Sequence, residues 1–204
     1  PVIVRRNTLK CDEKTFENFL KLHQEDGAFS GFRKIPEVDH CYEIFSDRPI
    51  VGGLWEHHIG QYYMQGASSL SPVMALDPKP HELVLDMCAA PGGKTAVIAQ
   101  MMQDQGLVIA NEPSRGRRWV LKANIDRIGA SNVTFTDHYG EEFPLEEKFD
   151  RILLDGPCSA EGSLRGSWAK KFDYERNDMY RRSLHRIQQK LLDRAIELLK
   201  SGGR

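Results

Sequence analysis

The part of the chain after about residue 80 alternates short apolar runs with longer stretches that carry apolar residues at helical spacing. This alternation predicts parallel β-strands joined by helices that cover both faces of one sheet. Crossovers between parallel strands are right-handed, so few topologies fit. We therefore predict an α/β fold with a mainly parallel sheet. The strand candidates are residues 82–87, 106–112, 132–137 and 149–157, and the helix candidates are 94–105, 114–129 and roughly 174–200.

The first 60 residues have a different character. A strand-like run at residues 2–6 precedes a helical pattern with apolar residues at Phe16, Phe19 and Leu20, and glycine, proline and histidine become frequent after residue 30. We predict a small α+β unit over residues 1–60 and the α/β core over residues 61–204.

Each of the four strand candidates ends in or next to an acidic residue. Ligands of parallel sheets bind beyond the carboxyl ends of the strands. A single acid there is explained as well by a helix cap or a solvated loop, but four in register favour a ligand site. The four acids are Asp86, Glu112, Asp137 and Asp155.

A phosphate-binding loop is the first ligand site to consider, because residues 93–95 read Gly-Lys-Thr. The full pattern needs a glycine where this chain has Cys88, so that the backbone can wrap the phosphates. The mismatch argues against ATP or GTP. The G-x-G-x-x-G fingerprint of dinucleotide sites is also absent, which weakens a nicotinamide or flavin site.

S-adenosylmethionine (SAM) is the nucleoside ligand that remains. Gly92 and Gly93 allow close backbone approach at a helix start, although glycines in such places serve helix packing at least as often. Glu112 at the next strand end can accept both hydroxyls of a ribose. Asp137 then lies towards the adenine, and the loop 88–94 towards the amino-acid end.

Cys158 and two basic segments are further candidates. Cys158 follows Pro157 directly after a strand, which favours exposure in the ligand cleft over the commoner role of a small buried hydrophobe. Basic residues interleaved with aromatic residues suit contact with RNA, although a solvated helix face explains either segment almost as well. The first segment contains Arg115, Arg117, Arg118, Lys122 and Arg127, and the second, residues 165–190, contains Trp168, Phe172, Tyr174 and Tyr180.

The composition limits the class of protein. Hydrophobic residues make up 40% of the 204, no apolar run reaches membrane-spanning length, and no segment reads as a signal peptide. The four cysteines have neither metal-ligand spacing nor a disulfide framework, so we expect a reducing, cytoplasmic location and no membrane. A net charge of −1 does not by itself indicate a nucleic-acid partner.

Five stretches together resemble the RNA 5-methylcytosine methyltransferases of the Sun type. The stretch LDMCAAPGGKT is similar to the cofactor loop of that family, and ILLDGPCSAEG is similar to its D-A-P-C-S-G-T-G motif. The resemblance runs from about residue 4 to residue 204. The other three stretches are VRRNTLK, GQYYMQGASSLSP and LKANIDRIG.

The resemblance implies a Rossmann-like core that binds SAM and methylates ribosomal or transfer RNA. Glu112 would hold the ribose, Asp137 the adenine, and Arg117 would help to hold the cofactor. Asp155 would lie between SAM and the target base. Gly156 stands where the family has alanine, and Ala160-Glu161 replace Gly-Thr. The methionine side of SAM would be lined by Cys88, Ala89, Ala90, Pro91, Gly92, Gly93 and Lys94.

The family chemistry uses a cysteine thiolate that adds to carbon 6 of cytosine, so that carbon 5 can take the methyl group. The family places this cysteine in a T-C-S motif just past a Gly-Gly, whereas this chain ends at SGGR, so we expect a truncated chain. Cys158 resembles the second family cysteine, which releases the product. Attack by Cys158 itself is the alternative mechanism. The alternative functions are a SAM- and RNA-binding module without turnover and a nucleotide hydrolase.

Overall fold

The computed structural model describes residues 1–48, 50–144, 148–158 and 178–204, and of residues 178–181 it describes only the backbone. These residues form two four-stranded sheets. Two short helices, α2 (Trp55–His58) and α3 (Ser71–Leu76), lie between the stretches of chain that build most of the two sheets.

The first sheet is antiparallel, in the order β2-β3-β1-β4. Helix α1 (Glu13–Glu25) buries its apolar side in the core that lies on this sheet, since Phe16 and Leu20 are fully buried there with Tyr42 and Tyr62. Asp12 caps the helix by accepting a hydrogen bond from the Thr15 N–H at 2.9 Å. The last strand lies on the C-terminal side of the predicted boundary at residue 60. The strands are β1 (Val2–Arg6), β2 (Gly31–Lys34), β3 (Cys41–Phe45) and β4 (Tyr62–Met64).

The second sheet is parallel, in the order β7-β6-β5-β8, which confirms the predicted α/β fold. Alternate residues of the central strand face opposite sides: Val84 packs against α4, whereas Leu85 packs against α6. Helices therefore cover both faces. The elements are β5 (Leu83–Asp86), α4 (Gly93–Met101), β6 (Leu107–Asn111), α5 (Arg115–Ile128), β7 (Val133–Thr136), β8 (Arg151–Leu153) and α6 (Asp178–Leu198).

A buried carboxamide, that of Asn7, joins the two sheets. Its Nδ2 donates hydrogen bonds to the carbonyl oxygens of Gly60 and Ile128, both at 2.8 Å, and its Oδ1 accepts one from Gln100 Nε2 at 2.9 Å. Gln100 also accepts a hydrogen bond from the buried Arg5 guanidinium, and burial lowers the pKa of Arg5 to about 10. Asn7 thus contacts both α4 and the end of α5.

Gly60 permits this junction because it has no side chain. Its φ is +77°, and a Cβ there would lie 1.8 Å from the carbonyl oxygen of Arg127. Any other residue would push α5 away from the start of β4.

In the part of the chain that the structure describes, none of the helices has both the length and the apolar composition needed to cross a membrane.

We expect Asn7→Ala to lower the free energy of unfolding by roughly 2–5 kcal/mol, because it leaves several buried groups without hydrogen-bond partners. Urea denaturation measures the loss. Asn124→Ala is the matched control, since the Asn124 side chain makes hydrogen bonds nearer the surface, from its Nδ2 to the carbonyl of Pro91 at 2.8 Å and from Arg127 Nη2 to its Oδ1 at 3.5 Å. Equal losses in the two variants would contradict the role given to Asn7.

Candidate active site

The loop between β5 and α4 is held by both neighbouring strands. The Met87 N–H donates to the carbonyl of Leu153 in β8 at 3.0 Å, and the Ala89 N–H donates to the carbonyl of Asn111 in β6 at 2.9 Å. The loop turns into α4 at Gly92, which has a φ of +103°. This loop, residues 88–94, therefore lies at the carboxyl ends of the central strands.

Two adjoining cavities open on either side of this loop. The larger, about 510 Å³, is lined by Glu112, Arg117 and Cys158, and the smaller, about 310 Å³, by Gln65 and Lys94. The two cavities share Cys88, Ala90 and Asp155. The structure thus brings most of the predicted site residues into one cleft.

Glu112 is the buried carboxylate of the larger cavity, with a side chain that is 2% exposed. Its Oε1 accepts a hydrogen bond from the Ser114 N–H at 2.9 Å, and its Oε2 lies 3.1 Å from Arg117 Nη1. Arg117 also donates to the carbonyl of Ala90 at 3.0 Å. Arg117 therefore ties the loop to the carboxylate at the end of β6.

Asp137 takes a different position from the other acids. It forms an ion pair with Arg118 at 3.3 Å, and its side chain is 65% exposed. Asp137 is not among the described residues that line either cavity. It is the first residue after β7.

Asp155 forms an ion pair with Lys94, with 2.6 Å between Oδ2 and Nζ. Asp86 lies deeper, accepts a hydrogen bond from Thr95 Oγ1 at 2.7 Å, and has a pKa raised to about 6 by burial. Burial, followed by the nearby carboxylates, raises the pKa of Cys88 to about 12. The Cys88 thiol is therefore neutral and unsuited to nucleophilic attack.

Cys158 is exposed and lines the larger cavity, so it is not a buried hydrophobe. The backbone just before it is fixed, because Gln188 Nε2 of α6 donates to the carbonyl of Pro157 at 2.7 Å. Cys158 and Asp155 lie along the same cavity wall. The predicted site thus contains one accessible thiol and one neutral, half-buried thiol.

Strand β4 and the segment after it add residues to the site that the sequence analysis gave no role. Tyr63, Gln65 and Ser69 line the smaller cavity. A Cβ at Gly93 would lie 3.2 Å from the Tyr63 ring and 3.3 Å from Gln65 Nε2. The Oε1 of Gln65 is buried and has no hydrogen-bond partner among the described residues. In the sequence, the contribution of these residues to the site was indicated by the resemblance of GQYYMQGASSLSP to a family motif.

Part of the predicted site lies outside the described residues. This applies to Ala160 and Glu161, to Trp168, Phe172 and Tyr174 of the second basic segment, and to the side chain of Tyr180.

Residues 73–204 match the family described as 16S rRNA methyltransferase RsmB/F. The chain belongs to this family. The ribosomal RNA small subunit methyltransferase F of Shewanella piezotolerans is 39% identical over 207 residues, which cover 98% of this chain and 42% of that protein. The 28S rRNA (cytosine(4447)-C(5))-methyltransferase of Homo sapiens is 40% identical over 165 residues, which cover 78% of this chain and 20% of that protein.

The fold of this family member is also that of a solved relative. A methyltransferase homolog protein from Pyrococcus horikoshii is 32% identical with a TM-score of 0.78, covering 100% of this chain and 62% of that one. The Rossmann-like methyltransferase core predicted for this chain is thereby confirmed. The chain spans between a fifth and about two fifths of the length of the two curated relatives named above.

We expect iodoacetamide at pH 8 to alkylate Cys158 at least roughly ten times faster than Cys88, because the thiolate is the reactive form and burial keeps Cys88 protonated. Burial also raises the pKa of Cys11 and of Cys41, so both should react slowly. Mass spectrometry of the digested chain measures each rate. In concentrated urea the four rates should converge, and equal rates in the folded protein would contradict the site geometry.

Proposed function

We propose that this chain contains the SAM-binding and catalytic region of an RNA cytosine-C5 methyltransferase that acts on ribosomal RNA. One observation carries the proposal: Glu112, a buried carboxylate held by Arg117, shares a cavity with Asp155 and Cys158. The relatives named above are ribosomal RNA methyltransferases, and one of them is named for the C5 position of cytosine. These names favour ribosomal RNA over transfer RNA.

The residues of the larger cavity suit SAM. The Glu112 carboxylate can accept hydrogen bonds from ribose hydroxyls, and Arg117 Nη1, 3.1 Å from its Oε2, orients it. The loop 88–94 presents backbone at the start of α4. Gly92 lets this loop pack closely on α5, because a Cβ there would lie 3.0 Å from the Leu121 side chain. We assign Asp137 to the adenine side. When bound, SAM supplies an electrophilic methyl group on its sulfonium.

The chemistry of the target base explains Asp155 and the cysteine. Carbon 5 of cytosine is a poor nucleophile, and addition of a thiolate to carbon 6 makes the ring enamine-like, so that carbon 5 can form the new bond to methyl carbon. A base then removes the carbon-5 proton, and the bond between carbon 6 and the cysteine sulfur breaks. Asp155, oriented by Lys94, can accept a hydrogen bond from the exocyclic amine of the base. We assign Cys158 to the breakdown of the adduct.

Two further assignments belong to this proposal. Residues 1–60 would help to recognise RNA while residues 61–204 carry the methyltransferase core. The location would be cytoplasmic, in keeping with the four cysteines of the chain, all of which are free thiols.

We expect calorimetric titration to detect SAM binding, and Glu112→Ala to weaken it by about ten-fold or more, equivalent to about 1.4 kcal/mol, because the ribose loses its carboxylate. Glu43→Ala is the control, since Glu43 pairs with Arg33 on the first sheet, away from the cleft. Binding of ATP with magnesium but not of SAM would overturn the proposed function.

The role of Cys158 is tested in a protein of the same length as its curated relatives. We expect Cys158→Ala to accumulate a covalent adduct with ordinary cytosine-containing RNA. The cysteine of the family's T-C-S motif would still attack carbon 6, while release of the product would be blocked. Denaturing gels detect the adduct, and the wild-type protein should show little of it. Loss of the adduct even with 5-fluorocytidine RNA, from which the carbon-5 proton is missing, would instead identify Cys158 as the attacking thiol.

A further inference from the structure

One face of α5 forms a second groove that the cofactor site does not use. Arg118 and Trp119 lie three and four residues after Arg115 and four and three residues before Lys122, so the four residues share this face. Phe135 of β7 closes the other side. These five residues line a cavity of about 220 Å³, which we term the α5–β7 groove. None of the five lines the larger or the smaller cavity of the cleft.

Trp119 of the α5–β7 groove is not explained by core packing, whereas Phe135 packs against the core that includes Leu121. Trp119 is 64% exposed, although α5 buries Leu121, Ile125 and Ile128 on its other side. Phe135 is partly buried, and Lys122 Nζ lies 5.6 Å from the centre of its ring. An exposed indole beside a second ring offers a flat apolar surface on which a base can stack.

The charges around the groove favour an anionic partner. Arg115 is exposed, Lys122 pairs with Asp126 at 3.0 Å, and Arg118 pairs with Asp137 at 3.3 Å. Ion pairs at the surface contribute little to stability, so these cations can exchange their carboxylates for phosphates at small cost. A single strand of RNA supplies both phosphates and bases, whereas an acidic peptide would leave Trp119 without a stacking partner.

The groove is adjacent to the catalytic cleft. Arg118 of the groove donates to the backbone carbonyl of Glu112 at 2.8 Å, and Arg117, the residue before it, lines the larger cavity. A polynucleotide that enters the cleft can therefore pass along α5 without leaving the protein surface.

We propose that the α5–β7 groove binds a nucleotide of the substrate RNA other than the target cytosine, with a base stacked on Trp119 and phosphates on Arg115 and Lys122. The inference rests on the proposed function, because it assigns an additional contact to the same RNA substrate.

The test compares two exposed apolar side chains, Trp119 and Ile196. A short fluorescein-labelled single-stranded RNA of mixed sequence is titrated with the wild-type protein, with Trp119→Ala and with Ile196→Ala. Ile196 is 65% exposed, lies in α6, and is not among the described residues that line the groove or either cavity of the cleft. We expect Trp119→Ala to weaken RNA binding by roughly ten-fold, since stacking on one base is lost. Trp119→Phe, which keeps a ring, should restore most of the affinity, and Ile196→Ala should stay close to wild type.

A second measurement uses salt. Lys122→Gln should lower the slope of log affinity against log salt concentration by about one, because one phosphate contact is lost. Lys79→Gln is the control, since Lys79 is an exposed lysine paired with Asp77 outside the groove. An unchanged slope for Lys122→Gln would overturn the phosphate contact.

The outcomes separate this inference from the proposed function. SAM affinity should be the same in Trp119→Ala and wild type. RNA binding by wild type that Trp119→Ala leaves unchanged would overturn the groove alone, whereas SAM binding without any RNA binding would overturn both. If polyglutamate binds the wild type as well as RNA does and also depends on Trp119, the groove is a general anion site and the RNA assignment is wrong.

Discussion

The hydrogen bonds of Asn7 determine how the first sheet meets the second. They join the residue after β1 to Gly60, two residues before β4, to the last residue of α5, and through Gln100 to α4. Because β4 follows this junction directly, Tyr63 and Gln65 are brought over Gly93. The smaller cavity therefore exists only where the two sheets meet, and neither sheet forms it alone.

The parallel sheet determines the rest of the cleft. With β5 between β6 and β8, the three strand ends lie side by side, and Met87 and Ala89 after β5 make hydrogen bonds to the two neighbours. Glu112 and Asp155 then lie on opposite sides of Cys88. Their surroundings differ: Glu112 is buried against an arginine, whereas Asp155 stays half-exposed beside a lysine.

Most of this arrangement could be predicted from the sequence, because local patterns specify it. The four parallel strands, the limits of α5 between Ser114 and Gly129, and the convergence of Glu112 and Asp155 all follow from apolar runs and the positions after them. The contribution of Gln65 could not be predicted, because it depends on a contact between the segment after β4 and the start of α4. The exposure of Asp137, which pairs with Arg118 outside both cavities, likewise could not be predicted from its place after a strand.

Helix α5 touches both the junction and the cofactor site. Its last residue accepts the hydrogen bond from Asn7, and its first turn carries the arginine that holds Glu112. Its 14 residues make a rod about 21 Å long. One helix therefore connects the first sheet with the carboxylate of Glu112. A ligand that displaces this helix at one end would change the affinity for a ligand at the other end, and by linkage the second ligand would change the affinity for the first to the same extent.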